Sequence, residues 1–181
     1  MAERVADPAE FRRLMGRWAT GVSVVTARAG ATDFGLTVNA FLSVSLQPPL
    51  VLVSLTHDAD TTPVILASGR FAVHLLAFDQ RDLSERFAST APPSEKFSGL
   101  PVHRGVSGLA RPDGALATFD CRVRTSFPLT DHLLIVGEVE ELETGRDATP
   151  LLFFRSAYGE SDGSDRLRLP PPRSPGPPES I

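Results

Sequence analysis

Small polar side chains interleave with apolar ones along residues 35–56. The polar positions are Thr37, Asn39, Ser43 and Ser45. Because a β-strand places alternate residues on opposite faces, the pattern predicts a strand with one apolar face and one face of hydroxyl and amide groups. The nearly continuous apolar run at 50–55 predicts a second strand, joined to the first at Pro48-Pro49. A core strand has no need for so many small hydrogen-bonding groups, whereas a surface that binds a flat cofactor with polar edges does.

The rest of the chain predicts three helices and several short strands. Phe11, Leu14, Met15 and Trp18 recur at helical spacing. They predict a first helix that begins after Asp7, ends at Gly21 and packs this apolar stripe on the body of the protein. Further helices are predicted at 61–68 and 79–89, with a loop rich in Pro, Ser and Gly at 91–101. The predicted strands span 22–27, 50–55, 71–77, 108–110, 115–127, 132–142 and 151–155.

This order of elements indicates a mainly β fold. Many strands, few helices and few βαβ units favour a closed β-barrel with peripheral helices, in one domain spanning residues 1–160. The composition changes from Ser161 onward, and six of the 16 prolines fall between Pro170 and Pro178. Residues 161–181 are therefore predicted to be a disordered tail.

Composition and charge narrow the classes of function. Lys and Arg number 18 against 22 Asp and Glu, a net charge of −4, so no general electrostatic attraction to nucleic acid or anionic membrane is expected. Cys121 is the single cysteine, which excludes an internal disulfide and suits a reducing compartment. No apolar run approaches the roughly 20 residues of a membrane helix. We therefore expect a cytoplasmic protein.

Familiar catalytic and nucleotide-binding motifs are missing from the sequence. It contains no G-x-G-x-x-G, no Walker-type loop and no G-x-S-x-G. His57, His74 and His103 are scattered, so no metal site is expected. If this chain binds a nucleotide cofactor, backbone amides of an irregular strand are the expected donors.

Three segments together resemble the short-chain flavin reductases of the FMN-binding split-barrel group. They are GLTVNAFLSVSLQPPLVLVSL from Gly35, SGRFAVHLLAFDQRDLSERFA from Ser68 and DHLLIVGEVE from Asp131. The resemblance covers about residues 11–158. It implies a six-stranded, Greek-key split β-barrel, a homodimer, FMN or FAD, and NADH or NADPH. It also implies a partner, a flavin-dependent monooxygenase that receives the reduced flavin.

The resemblance also implies roles for individual residues. Thr37, Asn39 and Ala40 would line the flavin ring. The ribityl chain and phosphate would be held by Ser54, Leu55, Thr56, Asp60 and Thr61. Arg86 and Phe87 would reach the phosphate or the adenine side, while His132, Arg155 and Tyr158 would contact the nicotinamide or close the pocket. No protein acid, base or nucleophile is required, since the cofactors carry the chemistry of hydride transfer.

Two positions depart from the family pattern, and other functions stay open. His74 stands where the family often has Asn, and the Asp60 carboxylate would repel a phosphate unless it turns away. One alternative is a split-barrel protein with permanently bound FMN that acts as a redox or oxidase module on another substrate. A second is an oxidase similar to pyridoxamine-phosphate oxidase, and a third is a non-enzymatic interaction protein.

Overall fold

Strands predominate in the computed structural model, which describes residues 6–161 and 167–168. The helices are α1 (Pro8–Met15), α2 (Thr61–Ser68), α3 (Arg81–Ala88) and α4 (Pro93–Phe97), with a 3₁₀ turn at Phe78–Gln80. The strands are β1 (Thr20–Gly21), β2 (Ser23–Ala29), β3 (Thr32–Val38), β4 (Phe41–Leu46), β5 (Pro49–Thr56), β6 (Arg70–Leu75), β7 (Val102–Arg104), β8 (Ala110–Pro112), β9 (Ala117–Pro128), β10 (His132–Thr144), β11 (Leu151–Phe154), β12 (Ala157–Ser161) and β13 (Leu167–Arg168).

The largest sheet has seven antiparallel strands in the order β3-β2-β6-β9-β10-β5-β4. A four-stranded sheet, β1-β11-β12-β13, and the pair β7-β8 complete the described part of the chain. The mainly β fold is therefore confirmed. The main sheet has seven strands and its edge strands β3 and β4 are not paired to each other, so the described residues show neither a closed barrel nor the six strands predicted for the split barrel.

The extra strand comes from the polar segment at 35–56. Its alternation is interrupted at Phe41, which is apolar at a position where the pattern requires a polar residue. The chain accordingly leaves the first strand at Val38 and starts β4 at Phe41, with Asn39 and Ala40 exposed between the two strands. A second irregularity in the pairing with β5 lies between Ser43 and Ser45. The predicted two strands are thus three.

The core lies on one face of the main sheet. Val25, Val53, Phe71 and Ile135 from four of its strands are completely buried there. Gly137 makes room for Phe71, because a Cβ at Gly137 would lie 2.5 Å from the ring. Burial of this apolar surface is the main term that stabilises the sheet.

A second cluster fixes α3 beside the sheet. Phe87 of α3 is buried with Val24, Leu76 and Leu151. Gly35 of β3 permits the close approach, since a Cβ there would lie 2.5 Å from the Phe87 ring. The end of α3 is therefore held directly against β3, next to the polar segment singled out in the sequence.

Several predicted elements differ from the structure. The first helix ends at Met15, and its apolar stripe is not packed: Phe11 is 60 % and Trp18 is 70 % exposed. The third helix begins at Arg81, after the 3₁₀ turn, and the predicted loop at 91–101 contains α4. Amphipathic spacing indicates a face to be covered but not what covers it. The predicted tail lies outside the described residues, apart from Ser161 and the two residues of β13, which pairs with β12.

Candidate functional site

A cavity of about 560 Å³ opens where β3, β5 and α2 meet the segment after α3. This volume lies within the range of small-molecule sites in proteins. β3 is an edge strand of the main sheet, so one row of its backbone N–H and C=O groups is free of sheet pairing. The residues that line the cavity are 35–40, 54–56, 58–61, 87–91, 93, 96 and 132.

The structure brings ten of the thirteen predicted site residues to this cavity. They are Thr37, Asn39, Ala40, Ser54, Leu55, Thr56, Asp60, Thr61, Phe87 and His132. Arg86, Arg155 and Tyr158 do not line it. These ten residues come from positions up to almost 100 apart in the chain, and several of them place small polar groups along one wall of the cavity.

The wall formed by Asn39 and Ala40 depends on the break between β3 and β4. The backbone N–H of Ser54 donates to the carbonyl of Ala40 over 3.0 Å, which attaches the break to β5. His132 enters at the rim because it pairs with Thr56 across β10 and β5. Its Nδ1 lies 3.0 Å from Asp131 Oδ1, and the hydrogen bond from His132 lowers the pKa of that carboxyl.

The start of α2 forms the polar end of the cavity. Thr61 is 2 % exposed and lines the cavity, while Thr62 donates its hydroxyl to the carbonyl of Thr56 over 2.8 Å. Asp60 precedes the helix without a side-chain capping hydrogen bond. In this turn Pro63 has no N–H and the Thr62 N–H donates to a carbonyl before the helix over 2.9 Å, so the N–H of Thr61 is the one left for an anion.

A larger cavity of about 750 Å³ adjoins the first and shares Asn39, Ala40 and Ser54 with it. Trp18, Phe153 and other apolar side chains line most of its wall, and Arg155 lies at its edge. The shared residues therefore lie between a cavity that contains several polar groups and a more apolar one. This arrangement suits a flat ring whose two sides meet different surroundings.

Tyr158 lies behind the cavity, where it supports α3. Its hydroxyl and Ser84 Oγ are 2.9 Å apart, and the carbonyl of Ser84 accepts the Thr37 hydroxyl over 2.6 Å. The Arg81 guanidinium lies 5.4 Å from the centre of the Tyr158 ring. Tyr158 thus reaches the cavity only through Ser84 and Thr37.

Lys96 is the cavity residue that sequence reasoning missed. It lies on α4, inside a segment predicted to be a loop, and it lines the cavity opposite the strands. Burial of its ammonium group lowers the pKa of Lys96, and the nearby Asp60 carboxylate works in the opposite direction. A basic side chain in a segment rich in Pro and Ser was the available signal, but such a residue is more often solvated.

Comparison with known proteins identifies the family. The sequence model of the family described as flavin reductase like domain matches residues 15–162 of this chain. The chain belongs to this family. The family predicted from the three sequence segments is therefore confirmed.

Relatives of this flavin reductase family member cover most of its length. The reductase component of 4-hydroxyphenylacetate 3-monooxygenase from Thermus thermophilus is 40 % identical over 148 residues, which span 82 % of this chain and 93 % of that protein. The NADH-dependent FMN reductase AsuE2 from Streptomyces nodosus subsp. asukaensis is 41 % identical over 155 residues, 82 % of each chain.

A solved structure extends the comparison to a complex with cofactor fragments. It is the NADH:FAD oxidoreductase SgcE6 of Streptomyces globisporus C-1027 with NAD and FAD fragments. It superimposes with a TM-score of 0.82 at 30 % identity and covers 91 % of this chain and 100 % of that one.

Within the part of the chain that the structure describes, none of the helices has the length and apolar character needed to cross a membrane.

Proposed function

We propose that the protein is an NAD(P)H:flavin oxidoreductase that reduces FMN or FAD and supplies the reduced flavin to a partner monooxygenase. The observation that carries the proposal is the cavity itself: ten predicted flavin and nicotinamide residues surround it, in a chain of the flavin reductase family. The relatives named as a monooxygenase reductase component and an NADH-dependent FMN reductase support the activity.

The residues present fit a flavin. The wall between the two cavities offers the amide of Asn39 and the small side chain of Ala40 to a flat ring, and the unpaired edge of β3 offers backbone donors. When the two cofactors are bound, they supply the hydride donor at the nicotinamide C4 and its acceptor at the flavin N5. The walls of the two cavities would hold the two rings against each other, which would convert an encounter in solution into an oriented one.

Other residues position the non-reacting ends. Ser54, Leu55 and Thr56 follow the wall towards α2, where Thr61 and the first turn of the helix attract the phosphate. His132 stands at the rim and orients the nicotinamide. Arg155, at the edge of the adjoining apolar cavity, contacts the far side of the same substrate, and Tyr158 acts through Ser84.

The test of this function is a spectrophotometric assay. Purified protein with NADH or NADPH and with FMN or FAD is expected to lose absorbance at 340 nm faster than the same mixture without protein. Weak, exchangeable flavin is expected after purification, as a reductase requires; a yellow protein that retains FMN through gel filtration would instead favour the alternative of a permanently bound cofactor. The absence of NAD(P)H loss with all four pairs would remove the enzymatic function.

Replacing Asn39 by alanine is expected to weaken flavin binding about 2- to 10-fold, the effect of one lost hydrogen bond. Fluorescence quenching of FMN measures the dissociation constant. Ser43→Ala is the matched control, because Ser43 is exposed on β4 and lines neither cavity. An unchanged FMN affinity in Asn39→Ala would remove Asn39 from the site.

The proposal includes a homodimer and a cytoplasmic location. Leu42, Val44 and Leu46 are exposed along the edge strand β4, and Leu46 is 85 % exposed. A contiguous apolar edge of this kind marks an interaction surface.

The buried free thiol of Cys121 suits a reducing compartment. The proposal also includes the family's split barrel, which the contact between β3 and β5 across the main sheet supports.

Placing a charge on this edge tests the dimer. The wild-type protein is expected to elute at about twice the mass of one chain in size-exclusion chromatography with light scattering, and Leu42→Glu is expected to elute as a monomer because a buried unpaired carboxylate is costly. Val106→Glu is the control, since Val106 is 96 % exposed and apart from β4. A monomeric wild type would refute the dimer.

A further inference from the structure

A strap of residues 93–104 leads from the wall of the candidate cavity to β8. It consists of α4, which lines the cavity with Pro93 and Lys96, and of β7, which pairs with β8. Among the described residues, no backbone hydrogen bond joins β7 to the main sheet. The attachment of the strap to the sheet therefore depends on side chains.

Side chains of α3 hold the α4 end of the strap. Arg86 Nη2 donates to the carbonyl of Glu95 over 2.8 Å and also to the carbonyl of Ser98. The rings of Phe87 and Phe97 meet edge to face, with centroids 5.0 Å apart. Because an arginine keeps its charge at all ordinary pH values, this end does not respond to pH near neutrality.

His103 holds the β7 end of the strap. Its Nδ1 lies 2.7 Å from Asp113 Oδ1, and its Nε2 lies 3.0 Å from Glu143 Oε1. Asp113 lies in the turn after β8 and Glu143 belongs to β10, so one ring joins β7 to both. Because an ionised carboxylate only accepts hydrogen bonds, each ring nitrogen must carry a proton to make its contact. The geometry is that of a charged imidazolium.

The two carboxylates favour this protonated ring. The hydrogen bond to Asp113, followed by the one to Glu143, raises the pKa of His103 above its usual value, although burial works against them. The hydrogen bond from His103 in turn lowers the pKa of Glu143. The strap contains no other histidine, so His103 is its one side chain whose ordinary pKa lies close to neutrality.

The other charged or titratable groups of the neighbouring strands do not replace this contact. They are Arg104 on β7 with Asp33 on β3, Arg111 on β8 with Asp120 on β9 and Glu141 on β10, and His74 on β6. The two arginines keep their charge near neutral pH. Burial lowers the pKa of His74 to about 3, so its titration lies on the acid side of 6.5.

Loss of one proton leaves His103 with a single N–H. Glu143 keeps a second partner, since Arg111 Nη1 lies 2.5 Å from its Oε2. The Asp113 carboxylate has no second side-chain partner among the described residues. The remaining N–H is therefore expected to stay with Asp113, and the lone pair of Nε2 then faces the Glu143 carboxylate. The connection between β7 and β10 is the one that is lost.

We propose that His103 is a pH-sensitive latch: its imidazolium fastens the strap to β10, and loss of its proton releases the β7 end. Because the pKa of His103 is raised in the folded chain, the stabilisation is fully present below pH 6.5 and is lost as the pH rises through the raised value. β8 stays in place, because Arg111 holds it to β9 and β10. This inference goes beyond the proposed function and does not depend on it.

Native-state proteolysis tests the latch at a single peptide bond. Lys96 is the one lysine of the chain and lies in the strap, so lysyl endopeptidase can cut only there. Because a protease requires a locally unfolded segment, the rate of cleavage reports the open fraction of the strap. Divided at each pH by the rate for an unfolded peptide of the same sequence, the rate is expected to rise about 3- to 10-fold from pH 6 to pH 8.5, as for the loss of exposed ion pairs.

Variants of His103 assign the pH dependence. His103→Gln carries no charge and is expected to be cut rapidly at every pH, whereas His103→Arg keeps a permanent charge with several donors and is expected to be cut slowly at every pH. His57→Gln is the matched control, because His57 is exposed, lies outside the strap and contacts the carbonyl of Leu129. It should retain the wild-type profile. A flat profile in the wild type, or a rise that persists in His103→Gln, would refute the latch.

NMR of the wild type checks the same point without relying on a His103 variant. The His103 ring protons are expected to titrate with a midpoint above pH 6.5, and Asp113→Asn is expected to lower that midpoint. A wild-type midpoint at or below pH 6.5 would overturn the proposal. Both experiments use neither flavin nor nicotinamide, so their failure leaves the reductase function untouched.

Discussion

Replacing Arg111 by methionine is expected to lower the free energy of unfolding by about 3–5 kcal/mol, the usual effect of removing one partner from a buried ion pair. The Arg111 side chain is 4 % exposed and its Nη2 lies 2.9 Å from Asp120 Oδ2 and 2.8 Å from Glu141 Oε2. Nη1 lies 2.5 Å from Glu143 Oε2. The substitution leaves the buried Asp120 carboxylate without its cation.

The size of this effect follows from where the charges lie. Asp120 is 2 % exposed, so the carboxylate cannot recover its hydration when Arg111 is removed. Burial disfavours the charge on Arg111, yet the carboxylates of Asp120, Glu141 and Glu143 beside its guanidinium outweigh burial and raise the pKa of Arg111. The buried Asp120 carboxylate therefore relies on the Arg111 guanidinium beside it for its neutralisation.

Urea denaturation of Arg111→Met and Arg122→Met provides a matched comparison. Arg122 also contacts two carboxylates, Glu138 and Glu140, but its side chain is 44 % exposed on the sheet surface. Arg122→Met is therefore expected to cost less than about 1 kcal/mol. The double variant Arg111→Met with Asp120→Asn is expected to recover part of the loss, because the stranded charge is gone. A loss below about 1 kcal/mol in Arg111→Met would show that this cluster does not stabilise the fold.

The local sequence pattern predicted only part of the site, and the resemblance to the flavin reductases implied the rest. The alternation of Thr37 and Asn39 with apolar residues marks a strand with a polar face, and the helix signal at Thr61 marks the start of α2 beside the cavity. The same alternating pattern is interrupted at Phe41, and this interruption corresponds to the break between β3 and β4. That break exposes Asn39 and Ala40, so the error in strand number and the construction of the site have one cause.

The remaining features depend on contacts between distant segments, and such contacts leave no periodic pattern. Lys96 reaches the cavity because the Arg86 side chain holds a five-residue helix in place, across a separation of nine to twelve positions. Arg111 is buried because β8 packs its side chain against β9 and β10. Charged residues are mostly exposed, so sequence reasoning assigns both to the surface.

His74 is another polar residue that contacts between distant segments bury, and its protonation is expected to have the second large effect on stability. Its ring is completely buried, with Nε2 2.9 Å from Thr26 Oγ1 and Nδ1 3.0 Å from Thr118 Oγ1. The Thr26 hydroxyl donates to the carbonyl of Ala110 over 2.8 Å, so its oxygen accepts from Nε2–H. Nδ1 then accepts the Thr118 hydroxyl. The neutral ring is satisfied on both sides, and this polar network occupies the position where the family often has Asn.

Acidification is therefore expected to destabilise the protein through His74. Burial, followed by the charge of Arg111, lowers the pKa of His74 from 6.5 to about 3. Between pH 6.5 and about 3, His74 is protonated in the unfolded chain but neutral in the folded chain. The stabilisation is therefore fully present above pH 6.5 and falls as the pH decreases towards 3. The expected slope is about 1.4 kcal/mol per pH unit, reaching about 5 kcal/mol over the whole interval.

Comparison with His74→Asn isolates this contribution. The stability advantage of the wild type over His74→Asn is expected to shrink by about 1.4 kcal/mol for each pH unit below 6 in urea denaturation. His103 contributes with the opposite sign in both proteins, because hydrogen bonds to Asp113 and Glu143 raise its pKa, so its effect cancels in the difference. NMR of the wild type gives an independent check: the His74 ring protons are expected to show no titration between pH 8 and 5. A His74 resonance that titrates near pH 6.5 would contradict the buried neutral ring.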